Sequence, residues 1–303
     1  LNIVIVGGGA TGIEVAGILS EMKKFVLPND YPDMSSSLMH IYLIEAGPRL
    51  LAGMSEESSA HAEQFLREMG VNILLNKRVV DYRDHKVVLE DGTEIATRTF
   101  IWVSGVTGVT IGNLDASLIG RGGRIKVDSF NRVEGMNNVF AIGDQCIQLA
   151  DENYPNGHPQ LAQVAIQQGE LLAKNLIRME KGQEMKPFHY RNLGSMATVG
   201  RNRAVAEFSK VKMQGWFAWV MWLVVHLRSI LGVRNKVIVL LNWVWNYFTY
   251  DQSMRMIVYA RKAKEIRDRE KVEETTHWGK ELIQEPKQHS PQEIQQASEQ
   301  EKK

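Results

Sequence analysis

The sequence predicts an α/β protein, and three observations carry that prediction. Ile3 to Val6 is a short apolar run that leads straight into Gly7, Gly9 and Gly12. Ile13 to Leu19 then read as a helix, and "HIYLI" (His40 to Ile44) repeats the apolar run further on. Continuous apolar runs of this length suit parallel strands buried on both faces. Strand, glycine loop, helix and second strand make up a Rossmann-like unit.

The glycine loop fits G-x-G-x-x-G in the context that gives the pattern meaning. Gly7 makes the turn, Gly9 lets backbone approach a pyrophosphate, and Gly12 allows the helix to pack closely on the strand. The N–H groups at the helix start then face the phosphates. Glu45 follows the second strand directly, where a carboxylate accepts from ribose hydroxyls and repels a 2′-phosphate. The separation exceeds the usual ~20 residues. "KKFVLPNDYPDMSSSLM", rich in Pro, Asn, Asp and Ser, reads as the inserted loop responsible. Arg49 is close enough to tolerate a phosphate, so NADH is favoured over NADPH without excluding it. Glu14 reads as an acid in the first turn of the glycine-loop helix, where the macrodipole favours a carboxylate. An acid aimed at the phosphates would repel them, so its side chain is expected to point aside.

Further along, Ser55 caps a helix running to Met69, with Gly70 as its stop signal. Val71 to Leu75 is another apolar strand. "VVLEDGTEI" is expected as a hairpin turning on Asp91-Gly92. Thr99 to Ser104 is expected as a buried strand ending at Gly105, where open α/β sheets bind ligands. Residues 1–107 thus form one domain. In the second, 108–209, "NVFAIGDQC" sets Gly143 and Asp144 at the carboxyl end of a strand, and a helix runs from Gln160 to about Glu180. Ala162-Gln163 opens that helix, and Gln167 lies one turn on along the same face. Gln163 reads equally as a surface polar residue. His158, before Pro159, is a loop histidine with no assigned role, and Cys146 reads as a small buried residue.

Residues 210–259 change character. "GWFAWVMWLVVHLRSILG" and "VIVLLNWVWNYFTY" hold five of the seven tryptophans. The uninterrupted apolar run from Gly215 to Val225 is eleven residues, against about 20 needed to span a bilayer. Lys210, Lys212, Arg228, Arg234 and Lys236 flank these stretches. Short aromatic segments with basic flanks suit helices lying in a membrane interface. A core hairpin or a homodimer interface remains the alternative. Residues 260–303 are charged and Gln-rich, which predicts a disordered tail.

Composition narrows the remaining classes. At 303 residues and 44% hydrophobic the chain has material for more than one core. A net charge of +1 gives no field that would recruit nucleic acid. One cysteine excludes an internal disulfide and a thiolate metal site. The chain opens inside a strand without an initiating Met, so it is expected to be a fragment.

Taken together, "GGGATGIEVAGIL", "IWVSGV", "AIGDQC", "LAQVAIQQGELLAKNL" and the aromatic C-terminal segments resemble the two-dinucleotide-domain flavoprotein oxidoreductases. Within them the chain is most similar to type II NADH dehydrogenases, single-subunit NADH:quinone reductases that do not pump protons. The resemblance implies an NADH domain inserted between the halves of a split FAD domain. Here it implies the NADH domain, the C-terminal FAD half and a membrane-associated helical region, with the first FAD segment missing. It also implies FAD and NADH as cofactors, a membrane quinone as partner, and peripheral attachment to the cytoplasmic face of the cell membrane. Gly143 and Asp144 would contact the flavin's ribityl–phosphate region, and Ala162 and Gln163 its pyrimidine end. Glu14 would sit in the active site, and Gln163 and Gln167 would line the quinone site. The competing expectations are a related disulfide or sulfide oxidoreductase, which needs paired cysteines, and a membrane-docked NADH-binding sensor without turnover.

Overall fold

A computed structural model of the chain describes residues 1–249 apart from Met34, Thr110 and Lys210. The tail expected at 260–303, and the end of the aromatic region from Tyr250, lie outside the described residues. Contacts gather Leu1–Trp243 into one compact unit. Of the second unit, from Val244 on, the described part is the end of the last helix.

Residues 2–102 hold the expected α/β elements. The elements are β1 (Asn2–Val6), α1 (Ala10–Glu21), α2 (Leu27–Asp30), β2 (His40–Ile44), α3 (Glu56–Glu68), β3 (Val71–Leu74), β4 (Val79–Arg83), β5 (Lys86–Leu89), β6 (Glu94–Ala96) and β7 (Thr99–Trp102). A parallel sheet forms in the order β3-β2-β1-β7. Both faces of β1 are covered, which is why its sequence is apolar throughout. Ile3 and Ile5 pack with Ile13 and Ala16 of α1 and Leu66 of α3. Val4 and Val6 pack with Val87 and Leu89 of the antiparallel β4-β5-β6 sheet.

Three local expectations are corrected. The presumed loop after α1 is helical at its start: Met22–Val26 is a π-helical turn, and α2 follows with Pro28 in its first turn. Proline is tolerated there because the first N–H groups of a helix need no acceptor inside it, and Met22 and Leu27 extend the α1 face onto the core. The hairpin loop has three residues rather than two. Leu89 N–H donates to Thr93 O at 2.9 Å, and Gly92 (φ +83°) donates back to Leu89 O at 2.9 Å. A positive φ at that place suits a glycine and gives a bulged turn. Finally, β7 is not buried, because it is the sheet's edge strand, and Trp102 is 56% exposed.

The rest of the chain adds β8 (Ile125–Val127), β9 (Cys146–Gln148), α4 (Ala162–Glu180), β10 (Ser195–Gly200), β11 (Arg203–Phe208), β12 (Val211–Gln214), α5 (Gly215–Ser229) and α6 (Val233–Thr249). β8 and β9 make a two-stranded parallel sheet with its own small core of Ile125, Val127, Val133, Ala141 and Cys146. The antiparallel sheet β10-β11-β12 straddles residue 209, and it joins the core beneath β1 and α1. Ala197, Val199 and Val205 point into the cluster that holds Ile5, Ile13 and Leu66. Alternation along the strands sends Ala204 and Ala206 to the opposite face, where they meet Ala218 of α5. The sheet is thus a layer between α1 and α5.

Candidate functional site

The glycine loop is built from close backbone approaches. Gly7 holds φ +116°, and a Cβ there would lie 2.8 Å from Val103 O. A Cβ on Gly12 would lie 1.8 Å from Gly7 O. Gly9 differs, since nothing lies within 4 Å of where its Cβ would be. No side chain caps α1 at Gly9, so the first-turn N–H groups are available to an anion. Glu45, at the end of β2, accepts from Gly8 N–H at 2.6 Å and Gly47 N–H at 2.7 Å. These bonds fix the carboxylate beside the loop and leave acceptor capacity for hydroxyl donors. Arg49 is committed elsewhere, donating to Met54 O at 2.7 Å and Ala52 O at 2.9 Å. Gly105 (φ +93°) is exposed beyond β7, on the same edge of the sheet as the loop.

Glu14 is not in the first turn of α1. The helix starts at Ala10, which puts Glu14 on its second turn, so the macrodipole does not account for it. As expected it points away from the loop. Its half-buried carboxyl lies beside the backbone N–H of Thr198 in β10, and the His226 imidazole of α5 is the weakest influence on it. Burial pushes this carboxyl above the ordinary range, against the pull of the Thr198 N–H and of the imidazole.

Around α4 the predicted residues gather differently. The strand expected to end at Gly143 and Asp144 is absent: the two residues lie in a short 3-10 turn that precedes β9, with Gly143 (φ +65°) against Ala165 of α4 and Asp144 exposed beside it. No side chain caps α4, and Ala162 is exposed in its first turn. Gln163 and Gln167 each make a pair of backbone bonds. Gln163 donates to Gly194 O and accepts from Leu193 N–H, both at 3.0 Å. Gln167 donates to Arg191 O at 2.9 Å and accepts from Arg191 N–H at 3.1 Å. The two amides fasten α4 to the segment that enters β10.

Two features here escaped sequence reasoning. Gln168, 1% exposed, accepts from Gly143 N–H at 2.7 Å and so sets the loop ahead of Asp144. Its signal was a polar residue on the inward face of an amphipathic helix. The second is a buried pair, Asp151 and His158, bonded at 2.9 Å with side chains 2% and 1% exposed. Tyr154, Phe188 and Tyr190 surround the imidazole. Arg124 bonds the backbone at both ends of this region, donating to Cys146 O at 2.6 Å and His158 O at 3.0 Å. Together they fix the approach to α4. Cys146 is buried as expected, and burial raises its thiol.

Burial raises the Asp151 carboxyl, but bonds from His158 and from the Asn153 and Tyr190 N–H groups outweigh it, and the net shift is downward. A depressed carboxyl contributes stability that is present above about pH 4 and lost as pH falls through the folded value. Asp151→Ala leaves a buried imidazole without its hydrogen-bond partner and should cost about 1–3 kcal/mol. Urea unfolding at neutral pH measures this, and a loss under about 1 kcal/mol would show that the pair does not hold the α4 approach.

Comparison with known proteins identifies the family. The pyridine nucleotide-disulphide oxidoreductase family model matches residues 1–169, and the NDH2 C-terminal domain matches residues 192–250. The type II NADH:quinone oxidoreductase NdhA of Mycobacterium tuberculosis is 35% identical, over 80% of this chain and 53% of its own length. An internal alternative NAD(P)H-ubiquinone oxidoreductase A1 of Arabidopsis thaliana mitochondria is 32% identical, over 82% of this chain and 51% of its own length. The chain therefore spans about half the length of the curated relatives it matches. The structure of NDH2 from Plasmodium falciparum in complex with NADH superposes with a TM-score of 0.74 at 20% identity, covering 82% of this chain and 66% of that one, and shares the fold. The chain belongs to the pyridine nucleotide-disulphide oxidoreductase family, and its NDH2 C-terminal domain sets it within the type II NADH dehydrogenase branch.

Proposed function

We propose that this chain supplies the NADH-binding part of an NADH:quinone oxidoreductase, together with the C-terminal part of its flavin site. The observation that carries the reading is the bare N-terminus of α1 beside Glu45. The open space at Gly9 admits a pyrophosphate, and Glu45 has acceptor capacity left for ribose hydroxyls. Arg49 is held by backbone carbonyls, which favours NADH over NADPH.

The α4 region fits part of an FAD site. The uncapped helix start offers N–H donors to a ring that gains negative charge on reduction, and the turn at Gly143 leaves Asp144 exposed. FAD, when bound, would accept hydride from NADH and deliver two electrons to a quinone. Ala162 and Gln163 would adjoin the flavin and Gln163 and Gln167 the quinone, with the two glutamines tying this region to the C-terminal sheet. Glu14 would handle protons.

The quinone is proposed to arrive from a membrane. Among the described residues no helix is long and apolar enough to cross one. The outer face of α5 nonetheless presents Trp216 (48% exposed), Phe217 (72%) and Val224 (56%). This apolar face suits docking in the interface on the cytoplasmic side, and the alternative is a homodimer through the same face.

Gly9→Val places a side chain in space that is open in the protein alone, so folding should survive. NADH binding to the chain, followed by calorimetry, should weaken by more than about tenfold. Unchanged affinity would remove NADH from this loop. Phe217→Glu should lower cosedimentation with anionic phospholipid vesicles by about tenfold, since one buried Phe is worth about 1.5–3 kcal/mol. A variant that instead shifts from dimer to monomer and never bound vesicles would favour the homodimer.

A further inference from the structure

The end of β2 lies against the chain that leaves β3. Glu45 N–H donates to Leu74 O at 2.9 Å, Lys77 N–H donates to Glu45 O at 3.1 Å, and Asn76 N–H donates to Gly47 O at 2.9 Å. Asn76 turns the chain with a left-handed φ of +54°, and Lys77 and Arg78 follow it. Two cations therefore branch from backbone that is bonded to the backbone of Glu45. In a dinucleotide site this is the region where a carboxylate takes the ribose 2′-hydroxyl or a cation accommodates a 2′-phosphate.

Neither cation is free. Lys77 Nζ bonds Asp91 Oδ2, and Arg78 Nε lies 3.8 Å from Glu90 Oε2. Both acids come from the turn between β5 and β6, and that turn is itself fixed. Glu90 N–H donates to Arg78 O at 2.9 Å, and Thr93 N–H donates to Asp91 Oδ1 at 3.0 Å. The Lys77 bond, with help from Thr93, pulls the Asp91 carboxyl down to about 2, so it is charged at neutral pH. Together with Asn76 the four charged residues line a cleft of about 180 Å³. All four side chains are exposed, and exposed pairs add little to stability. Their effect is on charge: two cations beside Glu45 are neutralised by two acids from the hairpin. Arg49, the cation on the β2 side, is likewise held, by Met54 O and Ala52 O.

We infer that Asp91 and Glu90 set the choice of cofactor, holding Lys77 and Arg78 in ion pairs so that neither is left for a 2′-phosphate. This deepens the NADH reading given above and rests on it. Glu45 repels a 2′-phosphate, and the hairpin withholds the positive charge that would offset the repulsion. Lysine is a point charge on a flexible four-carbon stem, so Lys77 can turn to a phosphate once Asp91 releases it. A guanidinium matches phosphate oxygens with its fork of N–H donors, which gives Arg78 the same capacity. Asp91 and Glu90 act through these two cations and are positioning residues.

Calorimetry of the chain with NADH and with NADPH measures the discrimination. Glu90→Gln/Asp91→Asn removes both acidic charges and keeps an oxygen that can accept from Thr93 N–H. In this variant the affinity for NADPH relative to NADH should rise at least about tenfold, since two repelling charges go and two cations are freed. Adding Lys77→Met and Arg78→Met should return the ratio to within about threefold of the wild-type chain. An unmoved ratio in the first variant overturns the proposal. A gain that survives loss of both cations also overturns it, because a purely structural effect of the hairpin would behave that way. If the double variant fails to fold, Asp91→Ser decides, since its hydroxyl can still accept from Thr93 N–H. There the ratio should rise at least about threefold, and an unmoved ratio overturns the proposal. A wild-type chain that binds NADPH as tightly as NADH overturns it as well. A wild-type chain that binds neither nucleotide defeats the NADH reading itself, whereas NADH binding with an unmoved ratio defeats only the role given to the hairpin.

Discussion

The approach of α1 to β10 is the contact on which the rest of the structure depends. A Cβ on Gly17 would lie 1.7 Å from Val199 O, so only glycine lets the helix backbone rest on the strand. Ile13, one turn earlier, and the adjacent Ala16 enter the cluster that also holds Ile5, Ala197 and Val205. The helix that presents its N-terminus at the glycine loop therefore has its other flank against the C-terminal sheet. Burial of aliphatic side chains at about 1.5–3 kcal/mol each holds this layer together. Its geometry brings Glu14 beside Thr198 of β10.

Polar contacts set the register of that layer more than its strength. Glu207 reaches from β11 to the start of α3, where it accepts from both the hydroxyl and the N–H of Ser55. Burial raises this carboxyl, but the bonds from Ser55 and Ser58 outweigh burial and bring it below the ordinary value. Its contribution is present above about pH 4 and lost as pH falls through the folded value. Arg203–Glu68 and Lys212–Glu57 are exposed pairs, and such pairs contribute about 0–1 kcal/mol. The combination specifies one docking of sheet on helix while leaving the strength of the joint to Gly17 and its apolar neighbours.

What the sequence made legible follows from range. The glycine loop, the strands beside it, α3 with its Ser55 cap and the start of α4 rest on patterns within some twenty residues, and all appear in the structure. Glu45 was legible because a strand end fixes its place. The role of Gly17 was hidden, since its reason lies at Val199, far along the chain. Likewise, β10 and β11 read as part of the second domain because nothing local says that Val199 and Val205 enter the core around Ile5 and Ile13. His158 read as a loop histidine because Asp151 alone does not announce a buried pair. The two glutamines were legible as a polar face of α4, but their bonds to Arg191, Leu193 and Gly194 required the fold.

Native-state hydrogen exchange, comparing the chain with its Gly17→Val variant, tests the central claim most directly. If α1 joins the two sheets into one cooperative unit, the slowest amides of β1, β2, β10 and β11 share one opening free energy. The variant should lower all of them together by about 1–3 kcal/mol, the usual cost of overpacking. Loss of protection confined to β10, β11 and β12, with β1 and β2 unchanged, would contradict the account.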